Sequence, residues 1–191
     1  MHSTGAEPGR DGWPATTAGT TTDILMATEG AQYPCEAGDM RRTEREIVDR
    51  RRIEEVIGDA VVCRLGLADG GEPYVVPVCF GYRDRRIYVH SAPEGTKIEI
   101  LRKNPRVCFE VDRMDGVIGA ANPCGWEVRY RSVIGTGTAV FLEDPGEKAE
   151  ALAIIVARYG GNASSFPAEA LGRVAVLRID VDSITGKEYW P

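Results

Sequence analysis

Ile87 to Val111 read IYVHSAPEGTKIEILRKNPRVCFEV: a β-branched and aromatic run, a cluster of turn residues, a stretch at helical spacing, then a second apolar run. That order is a strand passing into a helix and out into another strand. Ser91 stands three residues before Glu94, the spacing of a capping box, and Pro93, Gly95 and Thr96 lead into a segment where Ile98 and Leu101 repeat at helical spacing. A helix starting there leaves backbone N–H groups without partners. With the positive end of the helix dipole, the hydroxyls of Ser91 and Thr96 and the ammonium of Lys97, they make a set of donors suited to a phosphate. His90 stands beside them and is the only histidine after the first two residues. An ordinary strand-to-helix turn with surface hydroxyls is the competing reading, and Glu94 opposes an anion unless it folds back as the cap.

Outward from this segment the chain divides in two. Residues 1–39 are rich in Thr, Gly, Ala and acidic groups and show no periodicity, the composition of a segment too poor in apolar surface to offset its ordering entropy. They read as a disordered extension, with Met40 an alternative start, and residues 40–191 as one domain of a size that needs neither disulfide nor metal to fold. MRRTEREIVDRRRIEEVI, from Met40 to Ile57, reads as a helix headed by a Thr43 and Glu46 capping box.

AVVCRLGLA, PYVVPVCFGY and RIYVHS, separated by turns at Asp69 to Gly71 and Arg83 to Arg85, read as a three-stranded antiparallel meander. Asn104 and Pro105 end the Lys97 helix, and RVCFEV is the next strand. A loop over residues 113–125, marked by Gly116, Gly119, Pro123 and Gly125, precedes a long strand from Trp126 to Leu142, in which Gly135 and Gly137 mark a bulge or bend. Their G-T-G has no helix after it and is not a dinucleotide fingerprint. Asp144, Pro145 and Glu147 start a helix that Gly160 and Gly161 close, and RVAVLRIDVDSITGKEYW is the last strand. About six strands with inserted helices imply a mainly β fold closed into an antiparallel barrel, which removes exposed edges.

Composition excludes several functions. The net charge of −6 comes almost wholly from the first 39 residues, since the remainder carries 22 basic against 23 acidic groups. Such a balanced surface argues against nucleic acid as the main partner, and Arg50 to Arg52 read as a solvated helix face. Five cysteines, at 35, 63, 79, 108 and 124, include no C-x-x-C pair, so neither a disulfide framework nor a zinc site is indicated. Cys63, Cys79 and Cys108 fall in apolar runs and read as buried thiols of a reducing compartment. The apolar run Ile24 to Ala27 is too short for a membrane span and lacks a basic flank, so the expected location is cytoplasmic. A Ser-His-Asp hydrolase is disfavoured because His90 and Ser91 are neighbours on a strand and face opposite ways, and no G-x-S-x-G is present. What survives is a phosphate site on a barrel, and hence a phosphorylated cofactor carrying the chemistry.

PYVVPVCFGY, IYVHSAPEGTKIEILRKNPRVCFEV and CGWEVRYRSVIGTGTAVF, in this order, resemble the nitroimidazole reductase branch of the pyridoxamine phosphate oxidase-like flavoproteins, over about Met40 to Gly186. The resemblance implies a split β-barrel, a homodimer, and FMN bound at the subunit interface. It places Val75 to Cys79 along the isoalloxazine ring, with the backbone of Val76, Pro77 and Val78 facing its polar edge. It gives the ribityl chain and phosphate to His90, Ser91, Thr96 and Lys97. Arg131 and Ser132 would reach the cofactor from the partner subunit, their competing reading being a surface strand pair. Trp126 would cover a ring face, against a core role that is commoner for a barrel tryptophan; Tyr82 and Tyr130 are weaker candidates of that kind. His90 resembles the residue implicated at the active centre, with simple hydrogen bonding to the cofactor as its rival role. The ending EYWP lacks the Arg-rich segment that vitamin B6 oxidases use, which puts that activity in doubt. The expectation is an FMN-dependent oxidoreductase for a small nitroaromatic or quinone-like acceptor. A flavin, haem or deazaflavin carrier without turnover, and a purely structural dimer, stay open beside it.

Overall fold

The computed structural model describes residues 41–163 and 165–191. The expectations for residues 1–39, for a start at Met40 and for Cys35 lie outside the described residues. A 3-10 turn at Thr43–Arg45 leads into β1 (Glu46–Ile47) and then α1 (Arg50–Asp59). The helix expected from Thr43 thus starts at Arg50 instead. Asp49 is its cap, accepting the N–H of Arg51 at 2.9 Å, while Ile47 is drawn into the core and pairs with Gly186.

β2 (Cys63–Asp69) and β3 (Glu72–Val78) form a hairpin in register from Cys63 opposite Val78 to Asp69 opposite Glu72. The apolar run then breaks at Cys79, and β4 (Phe80–Arg83) pairs with β5 (Arg86–Ser91). α2 (Thr96–Lys103) leads to β6 (Arg106–Ile118), which pairs with β7 (Glu127–Leu142). After α3 (Pro145–Arg158) and α4 (Ala168–Gly172), β8 (Ala175–Tyr189) completes an antiparallel sheet ordered β3-β2-β6-β7-β8-β5-β4, with β1 also on β8.

This order corrects the meander, because the middle run divides and its halves lie at opposite ends of the sheet. It also corrects the closed ladder, since β3 and β4 are both edges. Only Cys79 separates these edges in the chain, so the sheet curls until they meet, which makes the barrel split and joined covalently. Pro73 and Pro77 fit β3 to that position, because proline lacks the N–H that a strand paired on both sides must donate. The fold is accordingly a mainly β split barrel with helices.

Inside lie Leu65, Phe80, Ile87, Val89, Phe109, Val111, Val133, Leu177 and Ile179, closed by Ile53, Val56 and Ile57 of α1 and by Ile98 and Leu101 of α2. Tyr88 and Val176 point the other way and are covered by Ala151 and Ile155 of α3, so β5 is buried on both faces. Asp144 caps α3 as expected, accepting the N–H of Glu147 at 2.9 Å, and Gly160 ends it at φ 81°. The expected loop over 113–125 is strand as far as Ile118. β6 runs to Ile118 with a register shift between Met114 and Gly116, and β6 and β7 project as an arm that the end of β8 edges as far as Tyr130 and that is two-stranded over 127–129. Its charged residues and Gly116 (φ 139°) imitate a loop in the sequence.

Gly135 and Gly137 do mark a bulge. The register passes from Thr136 opposite Ser183 to Gly137 opposite Val181, and a Cβ on Gly135 would lie 2.5 Å from the Ser183 carbonyl oxygen. Of the three strand cysteines expected inside, only Cys63 is buried; Cys79 and Cys108 are exposed, because Cys108 alternates outward between Val107 and Phe109 and Cys79 sits at the strand break. Among the described residues no helix is long and apolar enough to cross a membrane.

Candidate functional site

The strand break brings two distant segments together. The β4–β5 ladder begins with Phe80 opposite Val89, so Cys79 lies just outside it, at the end of β5 that carries His90 and Ser91, while Val78 pairs with Cys63 of β2. Among the described residues β3 has no strand on its outer edge, and along it Val75 (66 % exposed) and Pro77 face water while Val78 is buried and Val76 packs on the core. His90 is exposed and Ser91 half-buried.

α2 begins at Thr96 behind Gly95, whose φ of 114° suits glycine alone. The Gly95 carbonyl accepts the N–H groups of Ile98 (2.8 Å) and Glu99 (3.1 Å), which leaves those of Thr96 and Lys97 without a backbone acceptor among the described residues. The expected Ser91 and Glu94 capping box does not form. Ser91 stays in β5 opposite Ala175, Glu94 is exposed, and no side chain caps the helix. That absence keeps the first-turn donors open. Lys97 is half-buried, has no carboxylate or hydrogen-bond partner among the described residues, and burial holds its ammonium below the ordinary lysine range. Two N–H groups and a cation without partners among the described residues, with the Thr96 hydroxyl at the same helix start and Ser91 shortly before it in the chain, make a site with the charge for a phosphate monoester.

The other carried-over residues lie on the arm. Arg131 is held by Asp115 at 2.9 Å and Asp59 at 3.4 Å, and Ser132 sits between Asp112 and Lys187 in the ladder. Trp126 corrects the core reading: it is 60 % exposed, and its indole N–H donates to the Ala120 carbonyl at 2.9 Å while the ring covers Gly119. None of the hydrogen bonds, ion pairs or ring contacts of these three side chains reaches β3, β5 or α2. Tyr82 is half-buried, its phenol pushed up chiefly by that burial. Burial also pushes the Tyr130 phenol up, but the Arg45 guanidinium and the Lys187 ammonium outweigh it and bring it below its usual range.

Sequence reasoning missed Arg158 and Tyr159, which bind the strand break from α3, and the ion network of Asp59, Arg113, Asp115 and Arg131. Position before a Gly-Gly helix end was the single local signal for the first pair. The larger concavities lie elsewhere, one of about 400 Å³ between Arg86, Tyr88, Glu147 and Arg178, another of about 380 Å³ between Asp59, Val62, Arg64 and Met114. Their charged linings are largely ion-paired already, so the start of α2 at Lys97 is the better site.

Residues 49–188 match the sequence family described as pyridoxamine 5'-phosphate oxidase. The chain belongs to this family. A candidate 5-nitroimidazole antibiotic resistance protein from Bacteroides thetaiotaomicron VPI-5482 is 39 % identical, with 75 % of this chain and 86 % of that one covered at a TM-score of 0.68. This agrees with the nitroimidazole branch read from the three segments. An FAD-binding protein from Mesorhizobium loti is 26 % identical, covering 76 % of this chain and 98 % of that one at a TM-score of 0.57. An FAD and haem binding protein from Mycobacterium smegmatis shares the fold at 19 % identity, with a TM-score of 0.67 and coverage of 77 % and 75 %. An uncharacterized Rhizobium meliloti protein is 29 % identical over 65 residues, which span 34 % of this chain and 42 % of that protein.

Proposed function

We propose that this chain is an FMN-dependent oxidoreductase that reduces a small nitroaromatic or quinone-like acceptor and acts as a homodimer with its sites at the subunit seam. The observation that carries the reading is Lys97, a half-buried ammonium without a counter-ion among the described residues, beside the open N–H groups of Thr96 and Lys97. A flavin phosphate answers all of these groups at once. The hydroxyls of Ser91 and Thr96 complete its coordination, and the free edge of β3 from Val75 to Cys79 offers backbone groups to the ring. Bound flavin would supply the electron transfer; the protein's part is to hold the phosphate, orient the ring and exclude water from one face. His90, exposed beside this edge, would hold a proton near the developing negative charge on the acceptor.

An open edge in one chain needs a second surface to enclose a ring. The arm supplies a suitable one, with Met114, Val117 and Trp126 each more than half exposed. A second copy packed there would bring Arg131 and Ser132 towards the cofactor. The test is the absorbance spectrum of the purified protein with and without FMN, followed by identification of whatever is released on denaturation. Stoichiometric FMN, with donor-driven reduction of a nitroaromatic, is the expected result. FAD, haem or a deazaflavin would change the cofactor, bound flavin without turnover would favour a carrier, and no cofactor at all would overturn the reading.

A further inference from the structure

Cys79 is the single residue between β3 and β4, where the run leaves one edge of the barrel for the other. The Tyr159 hydroxyl sits on this point. It accepts the Phe80 N–H at 3.1 Å, donates to the Val61 carbonyl at 2.8 Å and meets the Cys79 side chain. Val61 lies just ahead of Cys63, whose ladder partner is Val78. One phenol oxygen thus ties the approach to β2, the end of β3 and the start of β4.

Arg158 secures the same corner. Its guanidinium lies 3.8 Å from the centroid of the Phe80 ring and donates to the carbonyls of Ile57 and Ala60 at the end of α1. α3 is also pressed hard on β4, since a Cβ on Gly81 would come within 2.8 Å of the Ile154 side chain. The break is therefore clamped from outside by a helix that carries none of the phosphate-site groups.

Resting on the flavin reading above, we propose that Tyr159 is a positioning residue, which through Cys79 and Phe80 sets the backbone of Val76 to Cys79 against the flavin ring. The phosphate end is held independently by Lys97 and the start of α2. Losing the hydroxyl leaves the Phe80 N–H and the Val61 carbonyl without this partner and lets the edge relax, which alters hydrogen bonds to the ring and not those to the phosphate.

The experiment compares wild type with Y159F and K97Q, using FMN and riboflavin as probes and recording spectra at saturation. Y159F should weaken both probes about tenfold and move the bound visible spectrum towards that of free flavin. K97Q should weaken FMN but not riboflavin. At 43 % exposure Tyr159 is a mild site for substitution. If Y159F nonetheless fails to fold, C79A, which removes the third contact alone, should show the same spectral movement to a smaller degree. A wild-type spectrum and affinity in Y159F, or in C79A where it stands in, would overturn the positioning role and leave the flavin reading intact. A wild-type protein that binds no flavin would overturn both.

Discussion

The Arg131 guanidinium lies 2.9 Å from the Asp115 carboxylate on the arm, and both side chains are largely withdrawn from water, at 13 % and 7 % exposed. Arg113 reaches the same carboxylate at 2.8 Å, and Asp59 meets both arginines at 3.4 Å. R131A leaves Asp115 with one cation where it had two. It should cost about 2–3 kcal/mol in urea unfolding, and FMN affinity should fall with it if Arg131 also serves the partner's cofactor.

Lys97 should behave as a residue kept at the expense of stability. Its ammonium is half-buried, without a partner among the described residues, and that burial makes the folded chain hold its proton less tightly than the unfolded one. Below the lowered folded value the group is charged in both states and folding bears the full desolvation cost. As pH rises through that value towards the ordinary lysine range, the folded chain releases its proton first and the cost disappears. Calorimetry of flavin-free K97M should therefore show a Tm about 1–3 °C above wild type at pH 7, a gap that narrows towards pH 10, while FMN binding is lost.

Replacing His90 separates holding from chemistry. H90A should retain bound FMN at near wild-type affinity and lose about 10²-fold or more in nitroaromatic turnover. Stopped-flow reoxidation by the acceptor is the readout. Unchanged turnover would restrict His90 to an ordinary surface position.

Thiol labelling should follow burial rather than sequence context. The Cys63 thiol is pushed up to about 12, first by desolvation and then by the Glu110 carboxylate. Peptide mapping after iodoacetamide treatment of the native protein at pH 8 should find Cys63 unmodified and Cys79 and Cys124 modified. FMN should slow the reaction at Cys79.

At the bulge, G135A forces a methyl group against the Phe109 ring and to 2.5 Å from the Ser183 carbonyl oxygen. The cost should be about 2–3 kcal/mol of unfolding free energy, with the denaturant dependence unchanged. The Thr136 and Ser183 hydroxyls, 2.7 Å apart beside it, would be displaced together.

The helix start at Thr96, the Asp144 cap and the Gly135 bulge were legible because each signal acts over a few residues. Capping spacings were less reliable. Thr43 with Glu46 and Ser91 with Glu94 both satisfy the spacing, yet Asp49 and Gly95 hold the cap positions because Ile47 and Ser91 are claimed by strand pairing. Arg158 and Tyr159 were invisible because their partners lie about 80 to 100 residues away in the chain.

By itself the sequence determined the local elements, the balanced charge, the family, and the grouping of Ser91, Thr96 and Lys97 at one helix start, since these depend on neighbours in the chain. Only the tertiary structure decided that the run from Pro73 to Tyr82 divides at Cys79, that the barrel is split there, and that His90 comes to stand beside the β3 edge. Strand partners are chosen by which faces can be buried together, and burial is a property of the whole fold.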